Sequence, residues 1–215
     1  MKVRVVTFPG SNCDKDMGSV LQNDFGAEVL YTWHKDHFED NPDLVVLPGG
    51  FSFGDYLRCG AMAKFSPAME SVVSYAKKGG KVLGVCNGFQ ILTEAGLLPG
   101  ALLHNRTLKY VCKDVDLLPS ENSVMGLGLS NPLSIPIAHG EGAYFADEET
   151  LNRLETNGQV VFRYKENPNG SLRDIAGICN EKGNILGMMP HPERAMNPYT
   201  GKLDGKPILS ALLNK

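Results

Sequence analysis

The stretch Lys81–Gln90, K-V-L-G-V-C-N-G-F-Q, holds the side chain best placed to act as a nucleophile. Its apolar start predicts a short strand over Lys81–Val85 that runs into Cys86. A helix then starts at Gly88 and continues through Phe89, Ile91 and Leu92 toward Gly96. A cysteine between a strand and a helix stands on a sharp turn, which exposes the sulfur and aims helix N–H groups at whatever it attacks. The hydrolase elbow G-x-S-x-G uses this device. Here it is spelled G-V-C-N-G, with Gly84 and Gly88 where backbones must approach closely. The competing reading of Cys86 is a small residue buried at the end of a core strand.

A free thiol, with a pKa near ~8.5, is only a few per cent ionised at pH 7, so it needs a base beside it and positive potential around it. Of the five histidines, His34, His37, His104, His139 and His191, two directly follow a predicted strand and open an H-x-E unit. These units are His139-Gly140-Glu141 and His191-Pro192-Glu193. In extended chain, residues two apart point the same way. Either carboxylate can therefore fix the tautomer of its imidazole, as the third member of a triad does. Spacing alone does not choose between the pairs. Pro192, which stiffens its unit, and the apolar run I-L-G-M-M-P before it favour His191. An attacked carbonyl also needs donors for its developing oxyanion. The Asn87 N–H is one candidate, and the Gly49-Gly50-Phe51 backbone, which two glycines let close to a substrate, is the other. Read alone, Pro48-Gly49-Gly50 is an ordinary turn.

These groups need elements to hold them. Lys2–Phe8 predicts a first buried strand, broken by Pro9-Gly10-Ser11-Asn12. Asp14–Phe25 has helical spacing at Met17, Val20, Leu21 and Phe25, and Gly26 stops it. Strands follow at Glu28–Trp33 and Leu44–Leu47. Ser66 and Pro67 mark the start of a helix with Met69, Val72, Val73 and Ala76 on its apolar face. This order predicts a parallel sheet covered on both faces, with sites at the carboxyl ends of its strands: Pro9–Asn12, Pro48–Asp55 and Cys86–Gly88. The second half is more strand-rich, with strands near Tyr110–Leu117, Leu133–Ala138, Val160–Tyr164, Ile175–Asn180 and Ile185–Met189, and helices over Glu148–Glu155 and Pro207–Leu213. No repeat, linker or low-complexity stretch divides the chain, so one domain over residues 1–215 is expected. The fold class expected is α/β: a mostly parallel sheet between helices, with a smaller mixed or antiparallel sheet in the second half.

Composition bounds the function. With 42% hydrophobic and 21% charged residues the chain reads as a soluble globular protein. A net charge of −3 offers no general attraction to nucleic acid or anionic membrane. No apolar run approaches membrane-spanning length, and the N-terminal apolar run is too short for a signal peptide. An odd set of five cysteines without a C-x-x-C pair argues against a disulfide framework and a structural zinc site, which fits a reducing cytoplasm. No metal site is expected: His34 and His37 alone have ligand-like spacing, and a surface H-x-x-H explains them. No G-x-G-x-x-G or Walker-type loop follows any strand, which weakens a nucleotide-binding or regulatory module as an alternative. Asn105-Arg106-Thr107 matches a glycosylation sequon, a chance match in a cytoplasmic chain.

Pro48-Gly49-Gly50, then G-V-C-N-G-F-Q at Gly84–Gln90, then His191-Pro192-Glu193 together resemble the class I, triad-type glutamine amidotransferases, and the match spans most of the chain. The stretches F-P-G-S-N-C-D at Phe8–Asp14, P-G-G-F-S-F-G-D-Y-L-R-C-G-A at Pro48–Ala61 and A-H-G-E-G at Ala138–Gly142 narrow the resemblance to the separate glutaminase subunits of phosphoribosylformylglycinamidine synthases. That family tends to have Ala or Thr where this chain has Cys59. The resemblance implies a flavodoxin-like fold, with Cys86 as nucleophile, His191 as base and Glu193 as its orienting partner. It implies a glutamine site that includes Gly49, Gly50, Phe51, Asn87, Gln90, His139 and Glu141. It implies no cofactor in this chain. ATP and Mg are expected on a large synthetase subunit, which receives the ammonia to make formylglycinamidine ribonucleotide in purine biosynthesis, with a small accessory subunit beside it. The competing enzyme reading is a stand-alone cysteine hydrolase of the same architecture.

Overall fold

A computed structural model of the chain describes residues 1–213; the last two positions of the expected 1–215 domain lie outside the described residues. The chain forms two compact units, residues 1–97 with 184–187, and residues 98–183 with 188 onward.

The first unit begins with β1 (Lys2–Thr7), α1 (Asp14–Asn23), β2 (Glu28–Trp33) and β3 (Leu44–Leu47), and continues through α2 (Pro67–Lys77), β4 (Val82–Val85) and α3 (Asn87–Glu94). β1 pairs in parallel with β2 and β3, and β3 with β4. Every residue of β3 and β4 is buried, as expected for inner parallel strands with helices on both faces. The helices bury most of the stripes their sequences announce: Met17 and Leu21 from α1, Met69, Val72 and Ala76 from α2, and Phe89, Ile91 and Leu92 from α3, while Val20 and Val73 stay half-buried. Each such side chain contributes about 1.5–3 kcal/mol by leaving water. Ser66 caps α2 by accepting the Met69 N–H at 3.4 Å, with Pro67 in the first turn where its missing N–H costs nothing.

The second unit holds β5 (Ala101–His104), β6 (Val111–Pro119), β7 (Leu133–His139), β8 (Glu141–Phe145), α4 (Glu148–Thr156), β9 (Val160–Tyr164) and β10 (Ile175–Cys179). β11 (Ile185–Met188) and α5 (Gly205–Leu213) complete the chain. β10, β9, β6 and β7 pair antiparallel in that order, and β5 pairs antiparallel with β8. The α/β class with its antiparallel second half is therefore as expected.

Two features differ from the sequence reading. β5 and β8 were not expected: β5 is four residues long after Pro99-Gly100, and β8 carries a glycine, so neither has a clear period. The stretch Asn184–Gly187 belongs to the first unit, where the Val82 N–H donates to Asn184 O at 2.9 Å and sets β11 beside β4, start against start. A parallel neighbour a hundred residues away leaves no local signal.

Candidate active site

In the first unit, β4 ends at Val85 and α3 starts at Asn87, so Cys86 alone makes the turn. Its backbone lies at φ 52°, ψ −107°, a region that L-residues avoid at a cost of about 1–3 kcal/mol. Helix contacts over-determine it: the Phe89 and Gln90 N–H groups both donate to Cys86 O, at 3.0 and 3.2 Å. The two flanking glycines are required by packing. A Cβ on Gly84 would come within 2.7 Å of the Gly88 backbone, and one on Gly88 would run into Leu47 O. Strand and helix thus touch backbone to backbone on either side of the sulfur.

The glycine loop after β3 is built against the loop after β1. Phe51 N–H donates to Gly10 O at 2.9 Å, and Gly49 O accepts from Asn12 and Cys13 N–H at 3.4 and 3.2 Å. Gly50, at φ +150°, backs onto this loop so closely that a Cβ would lie 2.7 Å from Gly10 O. Asn87 ties the glycine loop to α3. Its Oδ1 accepts the Ser52 N–H at 3.2 Å, and its Nδ2 donates to Gln90 Oε1 at 2.9 Å. Asn87 and Gln90 are both buried, and the bonds that involve these side chains brace the loop. Among the described residues, the Gly50 and Asn87 N–H groups have no acceptor, whereas the Phe51 N–H, expected as part of the same donor set, is taken. Sequence reading gave Cys13 no role of its own beyond its place in the Phe8–Asp14 stretch. It is buried at the start of α1 with an unstrained backbone, and its thiol donates to Asn12 Oδ1 at 3.1 Å.

The second unit separates the two H-x-E pairs. His191 and Glu193 form a buried pair, with Nδ1–H of the ring donating to Oε1 of the carboxylate at 2.7 Å. The chain here is not extended, as the spacing argument had it. His191 leads into a short 3-10 turn over Pro192–Arg194, and its N–H donates to Pro136 O at 2.9 Å. A Cβ on Gly205 would run into Pro192 O, so α5 packs tightly on this turn. With Nδ1 engaged, the ring presents Nε2 as its basic nitrogen.

His139 and Glu141 do not pair. Glu141 sits 3.3 Å from Nδ1 of the exposed His104 on the neighbouring strand. His139 instead bonds through Nδ1 to Asn105 Oδ1 at 3.1 Å. Burial first, and the nearby His191 second, push the His139 pKa down to about 4. Asn105, noticed in the sequence only as a sequon, is fully buried and uses its amide on Lys109 O and His139 O, both at 2.9 Å.

Comparisons with known proteins identify the family of this chain. A family model described as a CobB/CobQ-like glutamine amidotransferase domain matches residues 1–206. The phosphoribosylformylglycinamidine synthase subunit PurQ of Trichormus variabilis is 55% identical over 219 residues, covering 100% of this chain and 98% of that protein. The subunit of the same name from a Nostoc species is 54% identical over the same coverage. A chain in the structure of PurLQS from Thermotoga maritima superposes with a TM-score of 0.89 at 42% identity, over 99% of this chain and 97% of that one. With its strained cysteine elbow and its histidine–carboxylate pair, the chain belongs to the glutamine amidotransferases, in the family of PurQ subunits of phosphoribosylformylglycinamidine synthase.

Proposed function

We propose that this chain acts as one glutamine amidotransferase domain in which Cys86, His191 and Glu193 hydrolyse glutamine to glutamate and ammonia. The observation that carries this reading is the Cys86 backbone: a strained turn, held by two glycines, at the start of a helix. His191 Nε2 takes the thiol proton while Glu193 holds Nδ1–H. The sulfur attacks the carboxamide carbon, and the oxyanion is met by the Gly50 and Asn87 N–H groups. Losing one such donor typically costs ~3 kcal/mol. His191 then gives its proton to the leaving nitrogen, the C–N bond breaks and ammonia departs. Water, deprotonated by the same imidazole, cleaves the thioester. The Gly49–Phe51 backbone, Gln90, His139 and Glu141 shape the glutamine site.

The ammonia goes to a synthetase subunit that uses ATP to make formylglycinamidine ribonucleotide in purine biosynthesis. The 42% identical chain comes from a structure of PurLQS, and its name supports both a large partner and a small accessory one. The five cysteines include no disulfide and no described helix is long and apolar enough to cross a membrane, which supports a cytoplasmic site of action. The test is Cys86→Ala in the assembled complex. It should abolish glutamine-dependent synthesis and leave synthesis from added ammonium intact. Glutamine-dependent turnover that survives the substitution would refute the nucleophile.

A further inference from the structure

The Gly50 and Asn87 N–H groups, which meet the oxyanion in the reading above, stand on different elements of the first unit. One lies on the loop after β3, the other at the first position of α3. Two donors on separate elements can share one oxygen only while the elements keep their spacing. On the β1 side the loop is fastened by the Phe51 N–H, which donates to Gly10 O at 2.9 Å, and by the Phe53 N–H, which donates to Pro9 O at 2.7 Å. On the α3 side a side chain holds it. Asn87 Oδ1 accepts the Ser52 N–H at 3.2 Å, from 35 positions back in the chain. Residue 87 thus supplies one donor with its backbone and grips the loop of the other donor with its side chain.

An asparagine at a helix start ordinarily spends its side chain on nearby backbone groups. Here Cys86 is the cap residue, without a side-chain cap bond, and the Asn87 amide serves the loop instead. Its orientation is fixed. A backbone N–H donates to Oδ1, so the other amide atom is the nitrogen, which donates to Gln90 Oε1 at 2.9 Å, one turn along. The residue is 1% exposed, so water does not compete for either bond. A Cβ on Gly88 would run into Leu47 O, so the helix start rests directly on the last residue of the strand that feeds the loop. We propose that the Asn87 side chain is a positioning residue for the oxyanion, setting the distance between the Gly50 and Asn87 N–H groups. This inference rests on the roles given above to Cys86 and to those two N–H groups. Loosening the Ser52 bond lets Gly50, two residues earlier, drift from the oxygen that gains charge in the transition state. Glutamine binding in the ground state stays nearly as it was, so the loss falls on kcat.

Asn87→Leu keeps the side-chain volume and the backbone N–H and removes both side-chain bonds. In the full chain assembled with its synthetase, N87L should lower kcat for glutamine roughly ten- to a hundredfold, with KM within about threefold of the wild type. The aldehyde analogue of glutamine probes the oxyanion itself. The sulfur adds to its carbonyl carbon and the electron pair of the C=O bond stays on the oxygen, where the tetrahedral intermediate carries its charge. In N87L its inhibition constant should rise by the factor by which kcat/KM falls. Adding N87L to C86A should change glutamine affinity less than about threefold. A merely structural role would lower Tm without moving the aldehyde constant. A loss carried by KM, or an aldehyde constant that stays at the wild-type value, overturns the proposal. Ser52→Pro removes the same bond from the loop side, at the first position of a 3-10 turn where proline is tolerated, and leaves residue 87 intact. It should repeat both effects, and N87L/S52P should be no worse than the poorer single variant; additive losses overturn the proposal. Where N87L fails to fold, wild-type kcat in S52P overturns it. The aldehyde also separates the two claims: if it binds C86A as tightly as the wild type, the nucleophile assignment fails rather than this one.

Discussion

Cys86 is strained by its surroundings, and His191 is oriented by a carboxylate that shares its turn. In the proposed triad this pair makes Glu193 a positioning residue. Glu193→Gln keeps an oxygen for the Nδ1–H but removes the charge that stabilises the imidazolium, so kcat for glutamine should fall about 10²-fold with KM nearly unchanged. Steady-state kinetics decides it, and an equal rise in KM would point to a disturbed pocket instead. His139 carries a stability signature of its own. The unfolded chain binds its proton near the ordinary value of 6.5, and the folded chain not until about 4. Its contribution is therefore full above pH 6.5 and is lost as the pH falls toward 4, by an amount on the order of 3 kcal/mol. The Tm of the wild type should drop more steeply over that window than the Tm of H139Q; parallel slopes would show that the buried ring is not the cause. The turn at Cys86 was legible because its signal is local, two glycines and an apolar strand. Asn105 was not, because its work is done on His139, 34 positions away. The two H-x-E pairs look alike in sequence, and only the fold shows that one histidine faces its own glutamate while the other is claimed by an asparagine.

At the level of elements, the site depends on backbones that meet without side chains between them. Gly88→Ala would push a methyl group into Leu47 O, and Gly84→Ala would push one into Gly88. Each should cost about 1–3 kcal/mol, and Tm should fall about 2–4 °C per kcal/mol in a chain of this size. Activity should fall with it, because the displaced elements carry the sulfur and the Asn87 N–H. Thermal melts and glutaminase assays on the same samples test this; a fully active, fully stable Gly88→Ala would show that the close packing is not needed. Gly142→Ala acts elsewhere, in the second unit, where its Cβ would collide with the His139 ring. The inner strands β3 and β4 and the capped start of α2 were readable from apolar runs and from Ser66-Pro67. The β5–β8 pair and the placement of β11 beside β4 were not, since short strands and distant parallel partners are fixed by tertiary packing alone.

For the molecule as a whole, a free glutaminase would waste glutamine, so its activity is expected to be coupled to the synthetase. The isolated chain should be a weak glutaminase, and the partner should raise its activity. If the partner does so by favouring the glutamine-binding state, linkage requires glutamine to tighten the partner's binding by the same factor, typically about 5- to 150-fold. Titrating Cys86→Ala chain with the synthetase, with and without glutamine, measures that factor; identical affinities would place the coupling in the chemical step. The most direct test of the central claim is peptide mapping by mass spectrometry after treatment with a glutamine-mimicking electrophile. The adduct should sit on Cys86, and its rate of formation should collapse in His191→Ala. An adduct on Cys13, or a Cys86 rate indifferent to His191, would contradict the account.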